Sequence, residues 1–81
     1  MIYDPNKYAY TEIKNYLQPY GYEEMYNSLY NGKNNCSVRV SDKGFYSIHH
    51  IDLATGKQVA YYTQSLIIYE VIGYLFVNGY L

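Results

Sequence analysis

The chain has no tryptophan, one cysteine, two prolines and two methionines among 81 residues, and only 16% of it is charged. The single cysteine, Cys36, excludes an internal disulfide framework and fits a reducing compartment, so the expected location is the cytoplasm. Six basic residues against seven acidic ones give a net charge of −1, with neither a polybasic stripe for nucleic acid nor an acidic face that mimics it. No apolar run approaches the ~20 residues that cross a membrane. The start, Met1-Ile2-Tyr3-Asp4-Pro5, lacks the basic and apolar regions of a secretion signal. Glycine-rich phosphate loops are missing as well: Ala54-Thr55-Gly56-Lys57 has neither the leading glycine nor the strand-to-helix context.

What is present is tyrosine. There are fourteen, eight of them within the first thirty positions. Tyrosine joins a rigid apolar ring to a hydroxyl that tolerates water, which suits recognition of a partner better than chemistry on a substrate. A hydrophobic content of 49% is too high for intrinsic disorder, and the length fits one small domain over residues 1–81.

Asp4-Pro5 supplies an N-cap followed by proline at the first helical position, and Ala9, Ile13, Tyr16 and Leu17 recur at helical spacing. Pro19 and Gly21 forbid continuation, which predicts a helix over 5–17. Tyr22, Met25, Tyr26, Leu29 and Tyr30 form a second stripe, giving a short helix over about 22–31, although the tyrosine content also suits a strand. From Cys36 onward the period changes to alternation. Strands over 36–41 and 45–52 are joined by a type I turn at Asp42-Lys43-Gly44, with glycine left-handed. That turn pairs Val40 with Tyr46, Val38 with Ile48 and Cys36 with His50. A second turn, Leu53-Ala54-Thr55-Gly56, pairs Asp52 with Lys57, His50 with Val59 and Ile48 with Tyr61. Leu66–Val77 is a helix apolar nearly all round, with Glu70 its one charge, beginning after Thr63 or Ser65 and ending at Asn78-Gly79. The fold class is α+β: a three-stranded antiparallel β-meander flanked by N-terminal helices and a strongly apolar C-terminal helix. That last helix is either sandwiched between sheet and N-terminal helices or part of a homodimer interface.

One constellation carries chemistry. Period two puts His50 and Asp52 on one face, and the register sets Cys36 across from His50, so a thiol, a base and an orienting carboxylate share a neighbourhood. The alternative is a small buried thiol, a half-buried imidazole and a turn carboxylate, and it is preferred because a domain this size has little room for a pocket. His49 and His50 point to opposite faces, so they do not chelate one ion, and Cys36, His50 and Asp52 lack a fourth ligand. No metal or cofactor is expected.

The sheet face opposite the core carries Arg39, Phe45, Ser47, His49, Ile51, Ala60 and Tyr62, a mixed patch with aromatic and aliphatic anchors. Either a helix covers it or it is the partner site. Of the early tyrosines, Tyr8, Tyr16, Tyr26 and Tyr30 read as core or rim, and Tyr3, Tyr10, Tyr20 and Tyr22 as exposed. The expected site is Arg39, Phe45, His49, Ile51 and Tyr62 with Tyr10, Tyr20 and Tyr22. The function read from these residues is a non-enzymatic protein-binding module. A nucleotide or single-stranded nucleic-acid binder stacking bases on tyrosine is one alternative, and a Cys36/His50 thiol enzyme is another.

In size, absence of catalytic residues, usage rich in Tyr, Asn, Ile and Lys, and helix–three-strand–helix order from Tyr22–Tyr30 through Cys36–Thr63 to Leu66–Val77, the chain resembles small phage-encoded inhibitors of bacterial defence, the anti-CRISPR proteins among them. No residue-level motif carries the resemblance. It implies blockade of a bacterial defence or host protein, or capture of a nucleotide signal, within the host cytoplasm. Many such inhibitors are strongly acidic, and this chain is not.

Overall fold

The computed structural model describes residues 5–26, 28–41 and 45–81. Pro5 opens the first helix, α1 (Pro5–Leu17), over the predicted range. The Asp4 cap and Tyr3 lie outside the described residues. A short 3-10 turn, Gln18–Tyr20, follows, and Gly21 ends it at φ 91°, a left-handed conformation that glycine adopts without strain. The Gly21 N–H donates to the Gln18 carbonyl at 3.1 Å.

The chain then forms a hairpin where a second helix was expected. Strand β1 (Glu23–Met25) pairs antiparallel with β2 (Ser28–Asn31), and β2 pairs with β3 (Cys36–Val40). Two causes override the helical stripe. Tyr26 takes a left-handed φ of 56° and reverses the chain. Leu29 and Asn31 alternate inward opposite Val38 and Cys36, extending the buried face of the sheet, which a helix would have left as an open edge.

Strands β4 (Tyr46–Ile51) and β5 (Gln58–Tyr62) complete a five-stranded antiparallel sheet in the order β1-β2-β3-β4-β5, so the three-stranded meander is corrected to five strands within the same α+β class. The register of the last three strands matches the sequence reading: Val40 faces Tyr46, Val38 faces Ile48, Ile48 faces Tyr61 and His50 faces Val59. The Ser41 N–H donates to the Phe45 carbonyl at 2.8 Å, closing the β3–β4 turn whose tip, Asp42-Lys43-Gly44, lies outside the described residues. Asp52 shapes the second turn by accepting from the Ala54 N–H. The edge strands differ, since β1 carries Glu23 and Glu24 while β5 carries no charge.

The second helix, α2 (Ile68–Val77), starts later than expected, and neither Thr63 nor Ser65 caps it: the N-cap is Ile67, without a side-chain bond. Thr63 instead extends β5 against β4, its Oγ accepting from the Tyr46 N–H at 2.8 Å. Glu70, in the first turn of α2, accepts from the Gln64 N–H and the Tyr61 hydroxyl, a favourable place for a carboxylate at a helix N-terminus. The helix ends at Asn78-Gly79 as expected. Gly79 is left-handed at φ 78°, its N–H reaches the Phe76 carbonyl, and the Tyr80 N–H reaches the Leu75 carbonyl at 2.8 Å. This Schellman arrangement turns Tyr80 back into the core.

One core joins everything. Ala9, Ile13 and Leu17 of α1 and Val71 and Leu75 of α2 pack with Leu29, Cys36, Val38, Tyr46 and Ile48 of the sheet. Both helices therefore lie on the same face, and α2 is not wrapped between sheet and α1. A bridge ties α1 to β1: the Tyr10 hydroxyl donates to Glu24, whose Oε2 is also 3.5 Å from Lys14 Nζ. Among the described residues, no helix is long and apolar enough to cross a membrane.

Candidate functional site: the outer sheet face

With both helices on one side, the residues of the other side are the candidate site. Alternation places two cross-strand rows on it. One runs Met25, Ser28, Arg39, Ser47, Tyr62, and the other Glu23, Tyr30, Ser37, His49, Ala60. Tyr62 is its centrepiece, with Phe45 edge-on at a centroid distance of 5.7 Å and His49 edge-on at 6.2 Å. These rings cover Ser47, which is buried although it faces outward. Arg39 and Tyr62 are exposed, while Phe45, His49 and Ile51 are half-buried. Burial, and then the nearby Arg39 guanidinium, hold the His49 imidazole below the ordinary histidine value, so the patch has one fixed cation and a neutral ring beside it.

Beside this aromatic ridge lies an open groove of about 520 Å³, whose lining includes Tyr30, Asn35, Ser37, His49, Ile51 and Gln58. Tyr30 donates its hydroxyl to the Asn35 side chain at 3.1 Å, fixing one wall. The sequence reading misses this half of the face because it puts Tyr30 on a helix. The signal that would have found it is the alternation of Ser28 and Tyr30 with Leu29 and Asn31.

The early tyrosines sort differently from expectation. Tyr22 is fully buried and donates its hydroxyl to the Tyr80 carbonyl at 2.9 Å, so it is a core residue and presents nothing to a partner. Tyr10 is half-buried and held by Glu24; burial first, then that carboxylate, push its hydroxyl up to about 12. Tyr20 is exposed, stacked on Tyr16 at 5.8 Å, and lines a shallow groove with Glu23, Met25 and Tyr30 at the β1–β2 end of the sheet. Tyr8 and Tyr26, read as core or rim, are exposed, Tyr26 by 95% at the tip of the first hairpin. Arg39, Phe45, His49, Ile51 and Tyr62 therefore share the outer face, Tyr10 and Tyr22 do not join it, and Tyr20 borders its β1–β2 end.

Cys36, His50 and Asp52 do not assemble. Cys36 is fully buried; burial pushes its thiol up, and only the Tyr22 hydroxyl works the other way. His50 is on the core face as the register requires, but both its nitrogens are engaged by hydroxyls: Nε2 is 2.6 Å from Tyr74 Oη and Nδ1 is 3.1 Å from Tyr80 Oη. Asp52 is committed to its turn. Among the described residues, no three His, Cys, Asp or Glu side chains gather closely enough to hold a metal ion.

Comparison with family models, characterised proteins and solved structures finds no match to this chain.

Proposed function

We propose that the chain is a non-enzymatic protein-binding module that docks a bacterial protein, of the defence class blocked by the phage inhibitors whose size and residue usage it shares, through its outer sheet face. The observation that carries this is the one-sided packing: Arg39, Phe45, His49, Ile51 and Tyr62 form an aromatic-centred patch that no described helix covers. A ridge of clustered rings beside a guanidinium has the composition of an interface hot spot. The thiol is buried and raised, which argues against thiol chemistry.

The test is a pull-down of the tagged chain from bacterial lysate beside the Phe45→Ala/Tyr62→Ala double variant, with proteins and nucleotides in the eluate identified by mass spectrometry. A stoichiometric protein lost in the folded double variant supports the reading; a protein retained equally by both sinks the sheet-face site.

The groove beside the ridge favours a second reading, capture of a nucleotide. Its volume of about 520 Å³ falls in the range of small-ligand sites, and Tyr30 and His49 offer rings to a base. A nucleotide in the eluate without a protein would select it.

A further inference from the structure

The helical side of the molecule carries a second surface, independent of what the sheet face binds. Val71 and Leu75 of α2 are buried, and the stripe diametrically opposite them is Tyr69, Gly73, Phe76 and Val77. Tyr69, Phe76 and Val77 are 78%, 73% and 83% exposed. The stripe continues onto the end of α1, because Tyr69 lies close enough to Tyr16 to act on it electrostatically, and Tyr16 stacks on Tyr20. The α2 stripe carries no formal charge. Glu70, the one charge of α2, is turned aside to the Tyr61 hydroxyl and the Gln64 N–H.

We infer that this stripe is the interface of a homodimer, with two α2 helices packed antiparallel about Gly73. The first argument is area. Taking ~200 Å² per aromatic side chain and somewhat less for valine, the exposed parts of Tyr16, Tyr69, Phe76 and Val77 come to about 500 Å² per copy, hence ~1,000 Å² in total, the least area of a specific interface. The second is charge. A two-fold axis sets each patch against itself, and an uncharged patch meets its copy without repulsion, whereas a charged one would not. The third is shape. A Cβ built on Gly73 meets nothing within 4 Å, so the stripe has a notch at its centre, between Tyr69 on one turn and Phe76 and Val77 on the next. Antiparallel pairing about that notch brings the helices close and lays Tyr69 of each copy along Phe76 and Val77 of the other.

The dimer is back-to-back. Because the stripe points away from the sheet, the two outer sheet faces look in opposite directions, and the assembly presents two docking faces, which gives avidity toward a partner that repeats its epitope.

Sedimentation equilibrium of the full chain across micromolar concentrations tests this, beside Gly73→Arg and Phe76→Glu. Both positions are open in the single chain, so both variants keep the fold, checked by circular dichroism. The expected result is a wild-type mass of twice 9.5 kDa and self-association weakened by about tenfold or more in each variant. A wild-type chain that stays single throughout overturns the inference. So does a dimer that persists in both variants, and its loss in Ala60→Pro, a change on the uncharged edge strand β5, would place the interface at that edge instead.

Discussion

His50 Nε2 and Tyr74 Oη lie 2.6 Å apart, joining the sheet to α2 through a partly buried polar contact. On the other side of the ring, Nδ1 is 3.1 Å from Tyr80 Oη, which is itself 3.4 Å from the Ile51 carbonyl. With the ring proton on Nδ1, Tyr80 receives from the imidazole and donates to that carbonyl while Nε2 accepts from Tyr74; with it on Nε2, Tyr74 receives and Tyr80 donates to Nδ1. Tyr61 stacks on Tyr74 at 4.2 Å and backs the arrangement.

Removing either hydroxyl strands an imidazole nitrogen. Tyr74→Phe and Tyr80→Phe are each expected to cost about 1–3 kcal/mol in urea unfolding, the penalty of an unsatisfied buried polar group. Because both act on one ring, the double variant should depart from additivity by about 0.5 kcal/mol or more in a double-mutant cycle.

His49 sets a pH dependence of known sign. Its folded value is lowered from 6.5, so in the window below 6.5 the unfolded chain binds more protons, and stability falls as pH falls toward the folded value. Above 6.5 both states are neutral and the ring contributes no slope. Urea midpoints between neutral and mildly acidic pH should fall less for His49→Gln than for the wild type; equal slopes would refute the assignment. Glu24 acts in a lower window, because the Tyr10 hydroxyl and then Lys14 lower its carboxyl from 4.5, so its contribution is present above 4.5 and is lost as pH falls through the folded value.

Two glycines with the same open surroundings should answer alanine with opposite signs. Neither Gly73 nor Gly79 has an atom within 4 Å of a built Cβ, so packing drops out. Gly73 is helical, and Gly73→Ala is expected to stabilise the single chain by about 0.5–1 kcal/mol, measured below the concentration of self-association. Gly79 sits at φ 78°, and Gly79→Ala should destabilise by about 1–2 kcal/mol. Thermal melts of the pair decide the matter.

The Cys36 thiol should be nearly inert. It is fully buried and raised, so its reaction with an aromatic disulfide reagent is expected to follow opening of the core and to accelerate with urea along the unfolding curve. Fast labelling of the native chain would place the thiol elsewhere.

Much of this fold is legible in the sequence, and the failures have identifiable causes. The registers of β3 with β4 and of β4 with β5 follow from alternation plus turn length, because a slip of one residue would turn Val38 and Ile48 out to water. The hairpin of β1 and β2 is not legible in the same way. Tyr22, Met25, Tyr26, Leu29 and Tyr30 satisfy a helical stripe, and neither period nor propensity separates that stripe from a strand. The choice is made by the pairing of Leu29 with Val38, a contact between strands that exists only once the sheet has formed. Alternation also says which residues share a sheet face but not which face the helices cover. That is decided by continuity: the inner row of Cys36, Val38, Tyr46 and Ile48 is unbroken, whereas the outer one is interrupted by Arg39, Ser47 and His49. The candidate site was therefore legible as a set of residues and not as a surface.

The strand order β1-β2-β3-β4-β5 has a kinetic consequence. Every strand pairs with the one made just before it, so each step of sheet assembly closes only a short loop. Sheets are slow to fold when their pairings are distant in sequence, and here distant contacts are made by the helices and by Tyr22, Tyr46, Tyr74 and Tyr80, whose hydroxyls reach Tyr80, Ala9, His50 and Ile51. The sheet can zip from either end, and the search that limits folding is the docking of α1 and α2 onto a surface already laid down.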